Sequence, residues 1–173
     1  MKKLYFVIVM LVAGTAVFAQ SDRKAFSFDV GGELAFAIGD FSKTHSVGIG
    51  ASAQAEYALL DQLSLVGHIG VNNFFGKSLG QGTNYKNAQI VPLRVGAKYY
   101  ATDNFHAGGQ LGAAIVRFTT AGVSSRTAFA FSPQVGYQFG EAFDATAKFD
   151  VYAFDGGTFT SFGVRLAYIL GGR

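Results

Sequence analysis

From Lys24 onward, apolar residues recur at every second position, the periodicity that sends successive side chains to opposite faces of a β-strand. In Ala25–Ile38 the even positions are Phe26, Phe28, Val30, Gly32, Leu34, Phe36 and Ile38; the odd ones include Ser27, Asp29, Gly31 and Glu33. After the polar stretch Asp40–Ser46, a second strand over Val47–Leu60 places Val47, Ile49, Ala51, Ala53, Ala55, Tyr57 and Leu59 on one face. Its other face carries Ser52, Gln54 and Glu56. Six more strands are predicted, over Leu63–Phe75, Ile90–Tyr100, Phe105–Phe118, Ala128–Phe139, Phe143–Phe154 and Phe159–Leu170. They exceed the ~5–6 residues usual in soluble sheets and match the ~9–11 that cross a bilayer obliquely.

When the apolar parity of each strand is assigned to one surface, that surface holds no charged residue except Arg117, at the extreme end of the fifth strand. The opposite surface takes Asp29, Glu33, Glu56, Arg94, Lys98, Asp144, Lys148, Asp150 and Arg165. Periodicity does not say which surface is inside, but aromatic placement bears on it. Three turns share the frame Tyr-x-x-x-acid-x-apolar: Tyr57/Asp61/Leu63, Tyr99/Asp103/Phe105 and Tyr137/Glu141/Phe143. They repeat after 42 and 38 residues, the length of two strands with their connections. With Tyr168 on the last strand, these residues predict an outward girdle of Tyr57, Tyr99, Phe105, Tyr137, Phe143 and Tyr168 at one membrane interface. Phe36, Phe75, Phe131 and Phe162 would form a looser second ring. A lipocalin-like soluble barrel with the faces inverted fits the same alternation; strand length, girdle and the last strand favour the membrane.

Closure follows from the cost of unpaired backbone groups in hydrocarbon, several kcal/mol each, which forbids an open edge. The expected fold is therefore all-β, a closed eight-stranded antiparallel up-and-down transmembrane β-barrel over residues 20–173, preceded by a cleavable signal peptide at 1–19. Short turns lie near Asp61, Asp103 and Glu141. Longer connections run over Asp40–Ser46, Gly76–Asn87 and Thr119–Thr127, and Asp155–Thr158 is a short exception at the same end. Pro92 and Pro133 each remove a ladder donor; a bulge or fraying near the outer ends of their strands is expected to absorb them.

The first 19 residues read as an export signal: Lys2-Lys3, the apolar stretch Leu4–Ala13, then small residues before a cleavage site after Ala19. Removing Lys2 and Lys3 from the 14 basic residues leaves 12 against 11 acidic ones, so the excess falls from +3 to +1 and no nucleic-acid footprint is expected. The absence of cysteine excludes disulfides, thiolate metal sites and a cysteine nucleophile. Three histidines do not suggest a metal site, and no cofactor is expected.

The segments Lys98-Tyr99-Tyr100-Ala101-Thr102-Asp103-Asn104-Phe105 and Ser161-Phe162-Gly163-Val164-Arg165-Leu166-Ala167-Tyr168 resemble the small eight-stranded outer-membrane barrels of Gram-negative bacteria, the group of OmpX and the OmpA membrane domain. The resemblance covers roughly residues 25–170. It implies an outer-membrane location, a lipid environment, recognition of Ser161–Tyr168 by the barrel-insertion machinery, and a monomer. The ending Leu170-Gly171-Gly172-Arg173 departs from the terminal aromatic of that signal. The peptidoglycan-binding domain of full OmpA-type proteins is not expected after the eighth strand.

An eight-stranded barrel has an interior just wide enough for side chains to fill. Glu33, Glu56, Arg94, Lys98, Lys148, Asp150 and Arg165 are therefore expected to pair as a plug, with a narrow conduit as the alternative. The functional expectation is a non-enzymatic structural or surface-interaction role, with a narrow pore for small or amphipathic solutes as the second reading and a lipid-modifying enzyme as the third. For the enzyme, His45-Ser46 with Asp40 is the only outer-loop set that could be drafted. Adjacent residues on an extended chain point oppositely, so these are expected to be solvated loop residues. His68 and His106 are expected inside, on non-neighbouring strands. Gly76–Asn87 contains Gly-Lys-Ser but lacks the upstream glycine and following helix of a phosphate loop, and is expected to be a flexible polar surface loop.

Overall fold

The computed structural model describes residues 25–80, 83–118 and 125–170; the expected signal peptide and its cleavage site lie outside them. Eight strands close into one antiparallel barrel: β1 (Phe26–Ile38), β2 (His45–Leu60), β3 (Leu63–Gly76), β4 (Ala88–Tyr100), β5 (Phe105–Phe118), β6 (Arg126–Phe139), β7 (Phe143–Phe154) and β8 (Gly157–Leu170). Each pairs with its neighbours in sequence, and β8 pairs with β1 from Phe28–Leu170 to Ile38–Thr160, so the wall has no free edge. The turns Asp61–Gln62, Ala101–Asn104 and Gly140–Ala142 lie at one end, here the foot; the other connections lie at the mouth. Thr102 stabilises one foot turn, its Oγ1 accepting from the backbone N–H of Phe105 at 3.0 Å.

The register sets the shape. Following paired residues once round, Phe28–Ala55–Gly67–Val95–Leu111–Phe131–Val151–Thr160 returns to β1 at Ile38, ten residues beyond the start. For eight strands this stagger corresponds to a tilt of roughly 40°. Height along the barrel axis is then about 2.5 Å per residue.

Pro92 and Pro133 are accommodated differently from the expectation. Pairing of β3 with β4 skips from Ile69–Leu93 to Asn72–Ile90, and pairing of β6 with β7 skips from Phe131–Val151 to Gln134–Lys148, in both cases without a change of register. The opposite sides remain paired, at Pro92–Ala114 and Gly109–Pro133. A proline lacks one donor and disturbs only the neighbour that donor would face, so neither a bulge nor a position at the strand end is required.

The connections also depart from a set of featureless loops. Gly39–Lys43 forms a single 3-10 turn, and β2 begins at His45 rather than Val47. Within the predicted Gly76–Asn87 loop, Ser78–Gly80 pairs with Thr83–Asn84 in a small hairpin. Between β7 and β8 the chain reverses in two residues, with Gly156 at φ 93°, a conformation glycine adopts without a Cβ clash.

Candidate functional site

The outward parity is apolar from the foot to the mouth, and on it the large side chains stay uncovered: Leu93, midway up β4, is 63% exposed and Leu166 on β8 57%. The six predicted girdle residues all stand on this face near the foot. Phe143 meets Tyr168 at 5.5 Å between ring centroids, and Phe105 pairs across strands with Tyr137. Tyr57 pairs with Phe26 and Tyr99 with Leu63, and the Tyr99 hydroxyl donates to Gln62 Oε1 in the foot turn at 3.1 Å. Phe26, Phe28 and Phe139, which the turn frame did not single out, are exposed on the same level. The first polar outward residues above them are Asn73, Gln89, Thr127 and Thr160, with Arg117, all near the mouth. From Tyr99 to Gln89 is ten residues, a climb of about 25 Å on strands tilted this way.

The inward parity has three storeys. Nearest the foot, His106 Nε2 lies 2.6 Å from Asp144 Oδ2, and Thr146 Oγ1 donates to Asp144 Oδ1 at 2.6 Å. Beside them Glu56 accepts from the Tyr100 hydroxyl at 2.7 Å and from Lys98 Nζ at 3.2 Å. Arg165 joins this storey to the next: its Nη2 bonds Asp29, its Nε donates to Ser52 Oγ at 2.7 Å, and Glu33 lies 3.8 Å from that nitrogen.

In the middle storey Lys148 Nζ donates to Glu33 at 2.6 Å and sits 3.5 Å from Asp150, which also takes a hydrogen bond from Arg94 Nη1. Asn72 donates to Glu33 at 2.8 Å, and His68 Nε2 lies 3.7 Å from the same carboxylate. All seven charges of the predicted interior network are thus buried. Asp29 and Asp144 complete the set, and each of these carboxylates has a cationic or histidine neighbour. Opposite charges removed from water are tolerated only in such contact.

The upper storey was not foreseen. Toward the mouth the inward face turns apolar: Phe74, Ile90, Val116, Tyr152 and a set of alanines pack into one cluster, with Phe118, Phe154 and Phe159 at its margin. The signal was present where alternation lapses into adjacent apolar pairs, as in Phe74-Phe75, Ile90-Val91, Ile115-Val116 and Val151-Tyr152. Phe41, from the 3-10 turn, drops into this cluster and is 1% exposed. Its ring stacks on Phe159 at 4.2 Å and meets Phe74 edge-on at 5.0 Å.

His45 is not a solvated loop residue. It is buried against Phe41, the two rings 4.7 Å apart, because a register shift in the β2–β3 pairing between His45 and Gly48 breaks the parity that would otherwise set it outward with Val47 and Ile49. Its Nε2 faces the Lys86 carbonyl at 3.1 Å, and Nδ1 lies 2.8 Å from Thr44 Oγ1. Ser46 instead donates to the Phe75 carbonyl, and Asp40 pairs with Lys43 at 2.6 Å in solvent, where that cation's charge and hydrogen bond hold its carboxyl below the ordinary range. His45, Ser46 and Asp40 therefore do not converge.

No family model matches the chain, and no curated protein is similar to it in sequence. Among solved structures it is similar to Ail, the attachment invasion locus protein of Yersinia pestis, at 14% identity and a TM-score of 0.60, over 84% of this chain and 97% of that one. It is similar to the N-terminal β-barrel domain of Pseudomonas aeruginosa OprF at 14% identity and a TM-score of 0.58, over 83% and 97% of the two chains. Neisserial surface protein A gives 12% identity and a TM-score of 0.55, over 84% and 96%. These likenesses establish the fold, that of the small eight-stranded outer-membrane barrels.

Proposed function

We propose that this chain is an integral outer-membrane barrel of a Gram-negative bacterium, exported with cleavage after Ala19 and held in the bilayer as a monomer. The observation that carries the reading is the outward face: an unbroken apolar band about 25 Å tall, bounded by aromatic residues at the foot and by polar ones at the mouth. In water so large an exposed apolar surface would drive association; in lipid it needs no cover. The foot, with its short turns and Asp61, Asp103 and Glu141, faces the periplasm in this reading. The mouth faces outward, and Ser161–Tyr168 is the segment handed to the insertion machinery.

The interior supports a plugged, non-enzymatic barrel over a conduit. Ion pairs cross the lumen in two storeys and an aromatic cluster fills the third, so a solute would have to break charge pairs and then displace packed rings. The role left to such a molecule is structural, or contact with other surface molecules through the mouth connections.

The test is mobility on an SDS gel with and without boiling, for protein from the membrane fraction. A shift on heating is expected for a closed barrel extracted only by detergent. Soluble periplasmic protein without a shift would reverse the reading in favour of a lipocalin-like binding protein. Planar-bilayer recording addresses the lumen: stable single-channel steps would replace the plug with a pore.

A further inference from the structure

We propose that the apolar upper storey is a binding site for a small aromatic molecule bearing one polar group, and that Phe41 occupies it in the ligand's place. The inference rests on the reading that the mouth faces outward from a membrane barrel.

Phe41 is the only member of the mouth cluster, among the described residues, that does not come from a barrel strand. The wall around it is lined with small residues, Ala35, Ala88, Ala114, Ala128 and Ala130, which leave room that a ring must fill. That ring is received as a free aromatic would be, stacked on Phe159 with an interplanar angle of 17° and edge-on to Phe74 at 63°.

The segment delivering it is a single turn of five residues, Gly39–Lys43. Gly39, at φ 59°, takes a backbone conformation that disfavours other residues. Among the described residues, the side-chain bonds of the turn stay local: Ser42 Oγ donates to the Gly39 carbonyl at 2.7 Å, and the Asp40–Lys43 pair is solvated. The two ends of the segment are tied to the wall, the Ile38 carbonyl accepting from Thr160 Oγ1 at 3.0 Å and the Thr44 carbonyl from the Lys77 N–H at 2.8 Å, and between them Phe41 is the buried side chain of the turn.

The floor of this storey supplies the polar complement. Among the described residues, Ser161 Oγ and Asn72 Oδ1 are buried without a hydrogen-bond partner, each two residues below a ring, Phe159 and Phe74, on the same inward face. A buried polar atom left unpaired is costly, and a ligand hydroxyl lying on that floor would relieve it. Below the floor the ion pairs close the lumen, so the site opens only through the mouth and serves binding rather than passage.

Because the chain has no cysteine, Lys43→Cys gives a single point for a nitroxide label on the outside of the turn. Phenol is titrated against the folded barrel in lipid nanodiscs. The expected result is a saturable rise in label mobility as phenol displaces Phe41, and a phenol affinity at least tenfold higher in Phe41→Ala, where the competing ring is gone. Benzene, which lacks the hydroxyl, is expected to bind more weakly than phenol. The proposal is overturned if the label does not respond at phenol concentrations that saturate the parent barrel, if the two proteins bind phenol equally, or if neither binds it. Should Phe41→Ala not fold, Phe41→Leu makes the same comparison. Failure of the membrane reading would show separately, as protein with no mobility shift on heating.

Discussion

The lower two storeys of the lumen and its mouth fill the same cylinder by opposite means. Below, long charged side chains reach across and meet in pairs; above, rings and methyl groups pack without charge. Coulombic pairing is directional and unforgiving of a missing partner, whereas apolar packing yields gradually when an atom is removed. The charged part therefore locks the barrel's cross-section, and the apolar part is where an element can be taken out and put back.

Asp150→Ala tests the locked part and is expected to have the largest effect. It strands Arg94 and deprives Lys148 of a second partner, costing about 3–5 kcal/mol, read by urea unfolding in vesicles. Replacing both partners, Arg94→Met with Asp150→Leu, sharpens the point: about the same stability as the parent, or up to ~4 kcal/mol more, is expected. Large destabilisation of the double variant would mean that the pair is worth more than its desolvation cost.

Leu93→Arg puts a guanidinium on the outward face one residue from the inward Arg94. If that face lies in lipid, the substitution costs about 2–4 kcal/mol near the bilayer midplane; a negligible effect in the same unfolding assay would mean that the outward face meets water rather than lipid. Ile90→Val removes one methylene from the mouth cluster and is expected to cost only about 0.5–1.5 kcal/mol by the same measurement, a gradual response where Asp150→Ala is abrupt. Asp40→Asn is expected to be the smallest. Its carboxyl is held low by Lys43, so that pair contributes above the ordinary carboxylate range and loses its contribution as pH falls. Because both groups are fully solvated, neither the substitution nor acidification should unseat the turn, and a loss of stability for Asp40→Asn in the same unfolding assay would show that the ion pair held it.

The strands and their faces were legible because period-two alternation is a local property that survives folding unchanged. Thus Phe28, Asp29, Val30 and Gly31 alternate in the barrel as they alternate in the chain. The inward charges followed from the same parity. Which charges meet did not: Glu33 finds Lys148 across 115 residues, a choice made by the stagger of the whole barrel. The mouth is not legible for a related reason. Phe41 sits among Asp40, Ser42 and Lys43, in a segment whose composition says solvent, and only the walls of other strands make its burial favourable. His45 escapes the pattern as well, since its inward direction depends on a register shift between His45 and Gly48 that period-two alternation does not show. The prolines misled in the other direction, because the missing donor of each is felt by a single neighbour.

The pairing of β1 with β8 has a kinetic side. Phe28 faces Leu170, nearly the full described length away along the chain, whereas every other strand meets its sequence neighbour across a short connection. Hairpins can zip locally, but this seam must wait for the chain's two ends to meet, and contacts so distant in sequence are slow to form. Closure of the seam is then the committed step of assembly, and weakening the Phe36–Phe162 or Val30–Tyr168 crossing should delay insertion more than an equal lesion between β2 and β3.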